Sequence, residues 1–246
     1  DDIMDEAPLR RGKVTVHEKW NINTGILSGD AMLILAYQYF ENYEPVIFQK
    51  LAKLFSKTAL EVCDGQQLDV DFETRDDVTI DEYIHMICLK TSVLVAAALK
   101  MGAIVAETNE ENANLIYDFG LNLGLAFQLQ DDYLDTFGDP ETFGKQVGGD
   151  IIVNKKTFLY LKCLEVASDA DQKKLKHFYK RKLDDNSIKI AEVTRIFDLN
   201  DIPVLMKNEI ENYTEKAFDT LTKMDITDTN KDNLKTFGLW LMNRTV

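Results

Sequence analysis

Glycine and proline are scarce in this chain, with 12 and 4 among 246 residues. An all-β protein assembled from tight turns needs both at many connections, so that class is disfavoured and helix is the expected structure. Cysteine is scarcer still. Cys63, Cys88 and Cys163 are odd in number, widely spaced and set in apolar helical patterns. That argues against a disulfide framework and predicts reduced core residues in a cytoplasmic protein. Basic charge is also short: 28 Lys and Arg against 42 Asp and Glu leave a formal net charge of -14. Binding a nucleic-acid backbone requires clustered Lys and Arg, so no nucleic-acid partner is expected. The three histidines, His17, His85 and His177, show no metal-ligand spacing.

Long apolar runs are missing too. The longest, 92–106 (SVLVAAALKMGAIVA), is interrupted by Lys100 and falls short of the ~20 residues a membrane span needs. No transmembrane segment and no signal peptide is expected. The chain opens on Asp1 rather than Met, which leaves a targeting segment open.

What the chain does have is hydrophobic residues, 45% of the total, enough for a sizeable core, arranged at helical spacing. Helices are predicted at about 21–40, 46–72, 79–105 and 110–137, with more helices after a glycine-bearing loop that contains Gly144, Gly148 and Gly149. No stretch alternates strongly enough to predict a strand. Gly25 and Gly29, four apart, predict a face that another helix approaches closely. Thr79 and Glu82 fit a capping box, and Gly138 before Asp139–Pro140 fits a helix stop. The expected architecture is all-α, a single helical domain over residues 1–246.

Two acidic motifs carry the chemistry. The first, DDIMD, holds Asp1, Asp2 and Asp5; the second, DDYLD, holds Asp131, Asp132 and Asp135. Residues four apart share a helix face, so Asp131 and Asp135 project together, as would Asp1 and Asp5. The second motif follows the apolar stretch GLAFQLQ and should be partly buried. Crowded, partly buried carboxylates either take up protons or bind a cation. Hard oxygen donors with no Cys or His nearby point to Mg2+. One such motif alone is equally well a solvated helix end. Adjacent Arg10 and Arg11 either form ordinary salt bridges or grip phosphate oxygens through their planar forks.

The string DDIMD, four residues on RRG, then GDAML at 29–33, GQQLD at 65–69, KTSVL at 90–94, FQLQDDYLD at 127–135 and GKQVGGDIIVNKKT at 144–157 together resemble the trans-isoprenyl diphosphate synthases. They occur in that family's order, from residue 1 to about 160; the C-terminal third matches more weakly. The resemblance implies an isoprenoid-synthase helical bundle lacking its N-terminal helices. It implies a prenyltransferase, farnesyl- or geranylgeranyl-diphosphate-synthase-like, that joins an allylic diphosphate to isopentenyl diphosphate. It further implies a homodimer with three Mg2+ per active site, held by Asp1, Asp2 and Asp5 with Asp131, Asp132 and Asp135.

By the same resemblance Arg10, Lys90, Lys145 and Lys155 contact the allylic diphosphate, and Asp69 and Gln128 support it. Thr91 places a hydroxyl by the leaving-group oxygen, Arg11 holds isopentenyl diphosphate, and Phe127 shields the cation and growing tail. The catalytic set is Asp1, Asp2, Asp5, Lys90, Asp131 and Lys145. Bland alternatives stand beside these roles: Lys90 snorkelling from a buried helix, Asp69 capping a turn, Lys156 as a solvated neighbour. Arg244 is a weaker candidate for a diphosphate. Rival readings are a class I terpene cyclase, which usually has an Asn/Ser/Glu triad in place of DDYLD, and a non-catalytic synthase subunit, which commonly loses one aspartate motif. A di-iron bundle would need Glu-x-x-His ligands, which the three histidines do not supply.

Overall fold

A computed structural model describes residues 2–10, 12–139, 147–180 and 185–243. The chain divides into two compact units, 1–57 and 58–246, with the boundary inside one long helix.

In the first unit, residues 2–6 form a hydrogen-bonded turn. The Ala7 amide donates to Asp2 O and the Glu6 amide to Ile3 O, while Glu6 adopts a positive φ of 47°. This paired 6→1 and 5→2 closure is how a helix commonly stops. Asp2 and Asp5 therefore lie in a turn rather than in a regular helix; Asp1 lies outside the described residues. Two short strands not expected from the sequence follow, β1 (Leu9–Arg10) and β2 (Lys13–Val14), paired antiparallel around Gly12. Gly12 has φ +73°, and that left-handed requirement makes the hairpin. With only two residues per strand no alternation can be read. α1 (Val16–Lys19) and α2 (Ile22–Phe40) come next. Asn21 caps α2 by accepting from the Thr24 amide. A Cβ at Gly25 would meet Ile3 at 2.9 Å, whereas Gly29 faces open space. Only the first of the two glycines serves a close approach.

α3 (Pro45–Thr74) crosses the boundary between the units. The second unit continues with α4 (Ile80–Ile87), a π-helical turn (Cys88–Ser92) and α5 (Val93–Val105). Thr79 and Glu82 do form the capping box at the start of α4. α6 (Glu110–Phe137) starts at the Asn109 cap and stops at Gly138. α7 (Gly149–Ile152), α8 (Phe158–Val166), α9 (Asp169–Tyr179), α10 (Asn186–Leu199), α11 (Ile202–Lys223) and α12 (Asp228–Met242) complete it.

The core of this unit has two parts. One joins Tyr83, Met86 and Ile87 of α4 to Leu129 of α6, to α8, and to Val193, Ile196 and Phe197 of α10. The other joins Ile116, Phe119 and Leu123 of α6 to Ala217 and Leu221 of α11. Ile116, Phe119, Leu123, Ala126 and Leu129 recur at three and four residues, which explains why α6 runs between both. By length and composition Ile80–Val105 could cross a membrane. It instead packs Tyr83, Met86, Ile87, Ala96 and Ala97 into the core. Among the cysteines Cys163 is buried, Cys88 half-buried and Cys63 exposed, so the core expectation fails at Cys63. A helical pattern gives the period of a face but not which flank meets solvent.

Candidate active site

Glycines set the geometry. A Cβ at Gly65 would lie 2.3 Å from the Lys90 amide, and one at Gly124 would lie 2.6 Å from Ser92 Cα. Gly120 meets Ala96 in the same way. α3 and α6 thus press their backbones against the π-turn and α5, as only glycine allows. Along α6 the four-residue spacing then carries Gln128 and Asp132 on the face begun by Gly120 and Gly124. Along α3 it carries Asp69 one turn beyond Gly65.

The π-turn supplies the other half. Its extra residue shifts the register of the helix, and Lys90 and Thr91 sit within it. Lys90 Nζ donates to Asp69 Oδ2 at 2.5 Å. Thr91 Oγ1 donates to Gln128 Oε1 at 2.9 Å, and Gln128 Nε2 donates to Asp132 Oδ1 at 3.0 Å. Lys90 does not merely snorkel and Asp69 does not cap a local turn: each is half-buried, and they form one ion pair. Lys155 Nζ stands 4.0 Å from both Asp69 Oδ2 and Asp150 Oδ1. Asp69, Tyr83, Lys90, Gln128, Asp132 and Lys155 line one cavity. Phe127 is half-buried on α6 beside Gln128.

The structure adds Tyr83 and Asp150, which pattern reading did not single out. The Tyr83 hydroxyl, fully buried on α4, donates to Asp132 Oδ2. Both oxygens of Asp132 therefore accept protein hydrogen bonds. Burial, ahead of the Asp131 charge, pushes the Asp132 carboxyl up to about 6, although Tyr83, Gln128 and Lys155 pull it down. Burial and then the charges of Asp132 and Asp135 hold Asp150 well above the carboxylate range. Asp135 Oδ2 accepts the Asp150 amide at 2.9 Å, placing its charge at the start of α7. Tyr83 is seven residues before Lys90, two helical turns, and that spacing is the one signal that would have marked it. Lys156 differs from the solvated neighbour expected. Its ammonium donates to Phe72 O at 2.7 Å and Glu73 O at 3.0 Å, capping the carbonyl end of α3.

In the first unit Arg10 Nε donates to Asp2 Oδ1 at 2.7 Å, with Nη2 close to the same oxygen, and Asp5 is exposed. The expected roles of Asp1, Arg11, Lys145 and Arg244 fall outside the described residues.

The family model described as polyprenyl synthetase matches residues 1–197. The chain belongs to the polyprenyl synthetase family. Among this family's members, the short chain isoprenyl diphosphate synthase of Methanothermobacter thermautotrophicus is 40% identical over 176 residues, 71% of this chain and 54% of its own length. The geranylgeranyl diphosphate synthase of Methanosarcina mazei is 41% identical over 167 residues, 67% of this chain and 52% of its own. The chain spans about half the length of the curated relatives it matches. A crystal structure of a geranylgeranyl pyrophosphate synthase superposes with a TM-score of 0.95 at 55% identity, covering 99% of this chain and 76% of that one. The geranylgeranyl pyrophosphate synthetase of Pyrococcus horikoshii Ot3 superposes at 0.90 with 32% identity, covering 99% and 74%. The all-α expectation and the family are thereby established.

Proposed function

We propose that this chain is the larger part of a prenyltransferase that lengthens an allylic diphosphate with isopentenyl diphosphate. The observation that carries the reading is the cavity where Lys90 and Lys155 flank Asp69 while Gln128 links Thr91 to Asp132. Two cations beside an acidic cluster suit a diphosphate that arrives with divalent metal.

The acidic side chains fit Mg2+. Asp132 is buried and Asp150 half-buried, and the charges of Asp132 and Asp135 raise the proton affinity of Asp150, an excess of negative charge that a cation would offset. Among the described residues no group of three or more His, Cys, Asp or Glu side chains is already placed to hold a metal ion. Asp131 and Asp135 from the second motif, with Asp2 and Asp5 from the first, would hold the ions, three to a site. Bound Mg2+ supplies Lewis-acid stabilisation of the charge on the departing diphosphate.

The protein's own residues do the rest. Asp69 holds the Lys90 ammonium extended toward the cavity, and Lys90 and Lys155 stabilise negative charge as the allylic C–O bond ionises. Gln128, fixed at both ends of its amide, orients the Thr91 hydroxyl. Arg10 grips the allylic diphosphate and Arg11 the isopentenyl diphosphate. The double bond of isopentenyl diphosphate, held about 3–3.5 Å away, attacks the allylic cation. The new C–C bond forms, and the adjacent C–H proton passes to the released diphosphate.

Likeness to geranylgeranyl-forming relatives supports a geranylgeranyl product. Family likeness supports a cytoplasmic homodimer, and the exposed Ile26, Leu27, Met32 and Ile34 of α2 are what a subunit interface would cover. The second motif is intact, which favours this reading over a terpene cyclase or a non-catalytic subunit. Chromatography of products from labelled isopentenyl diphosphate and the full-length protein tests it. A prenyl diphosphate that disappears in Asp131→Ala is the expected result; a cyclised hydrocarbon, or undiminished turnover in that variant, would refute it.

A further inference from the structure

Lys189 on α10 is 1% exposed, in a region where the sequence offered no function. Its ammonium donates to Ile152 O at 3.1 Å and to Asn154 Oδ1 at 2.6 Å, and stands 5.6 Å from the centre of the Tyr179 ring. Both acceptors are neutral. Burying an ammonium without a carboxylate partner is costly, and burial indeed holds the Lys189 pKa below that of an ordinary lysine. A methionine would fill the same space at less expense, so the acceptors that Lys189 serves are the informative part.

Ile152 is the last residue of α7, and its carbonyl is one of those a helix end leaves without an internal partner. Asn154 follows at a positive φ of 61°, the left-handed position at which a helix stops and the chain changes direction. The next residue is Lys155, which stands between Asp69 and Asp150. α10 grips the other end of α7 as well. Gly148, at φ +82°, leaves room for Ile190, which a Cβ would meet at 2.8 Å. Adjacent residues of α10 thus hold both the entry and the exit of the segment that delivers Lys155.

We infer that Lys189 is a positioning residue that locks the α7 exit, Ile152 to Asn154, so that Lys155 is aimed into the diphosphate cavity. The inference rests on the proposed role of Lys155. Lys189 touches no substrate and acts through that one side chain.

The test uses the full-length protein, with Lys189→Met, Lys155→Ala and their double variant. Affinity for inorganic diphosphate is measured by calorimetry in magnesium buffer, and amide exchange is measured across 150–157. Lys189→Met removes the donors but keeps the side-chain volume. It should raise exchange at Val153, Asn154 and Lys155 and weaken diphosphate binding by about tenfold, an effect of geometry alone. The double variant should bind no more weakly than Lys155→Ala, because coupled residues are not additive. Unchanged exchange in Lys189→Met, or additive losses in the double variant, would overturn the clamp. Undiminished affinity in Lys155→Ala would instead overturn the diphosphate role of Lys155, and the exchange data would still report on the lock. If Lys189→Met fails to fold, Asn154→Gly keeps the left-handed backbone, deletes one acceptor and should shift exchange and affinity in the same direction.

Discussion

The Tyr83 hydroxyl donates to Asp132 Oδ2 across 49 positions of sequence, from the buried face of α4 to the second aspartate motif on α6. The bond continues through Gln128 to Thr91, so one chain of donors and acceptors links α4, α6 and the π-turn. Hydrogen bonds to charged groups are typically worth about 1.5–3 kcal/mol. Tyr83→Phe leaves the packing nearly intact and removes this one. Turnover is expected to fall about tenfold or more, with a modest loss of melting temperature. An unaltered turnover would show that Asp132 needs no anchor from α4.

The two raised carboxyls make a pH prediction. Asp132 titrates near 6 and Asp150 is raised in the same direction, whereas an unfolded Asp titrates near ~3.9. The folded state therefore binds these protons more tightly. The stability they contribute is complete below about pH 4 and is lost as pH rises through about 6. Exposed groups with lowered values, such as Asp77, Glu82 and Glu192, act in the opposite direction but finish titrating at lower pH. In EDTA the melting temperature should fall from pH 5 to pH 7, and Mg2+ should restore it at pH 7. Asp132→Asn should flatten the profile; a profile as steep as wild type would assign the effect elsewhere.

Two glycine substitutions should separate sharply. Gly124→Ala places a methyl 2.6 Å from Ser92 Cα and should cost about 1–3 kcal/mol through overpacking. It should also lower turnover by moving Gln128 relative to Thr91. Gly102→Ala, on α5 with nothing within 4 Å of its Cβ, should be neutral or stabilising by up to about 1 kcal/mol. Chemical denaturation of both variants measures the contrast, and equal costs would contradict the close approach of α6 to the π-turn.

The two arginines are proposed to bind different substrates and so should differ in phenotype. Arg10 reaches Asp2 with its fork of nitrogens, and a lysine cannot reproduce that fork. Arg10→Lys is expected to raise KM for the allylic diphosphate by about tenfold, ~1.4 kcal/mol of binding. Arg11→Lys should raise KM for isopentenyl diphosphate more. The reverse pattern in steady-state kinetics would exchange the two subsites.

Much of this protein was readable in one dimension because its signals are local. Helical spacing, the Thr79–Glu82 capping box, the Gly138 stop and the i, i+4 carboxylates depend on neighbours within a turn or two. The family likewise showed in the order of short motifs such as KTSVL and FQLQDDYLD. What the sequence could not state is which residues meet across helices. Tyr83 and Lys189 lie in stretches that read as ordinary core and surface helix, and Lys156 reads as a duplicate of Lys155. Their roles follow from the close approach that Gly65, Gly120 and Gly124 permit, from the register shift of the π-turn, and from α10 folding back on α7. Each is a long-range packing relationship, decided by which side chains the folded chain can bring within hydrogen-bond distance and which it must bury. Periodicity specifies a face of a helix. Only the tertiary structure chooses what that face touches.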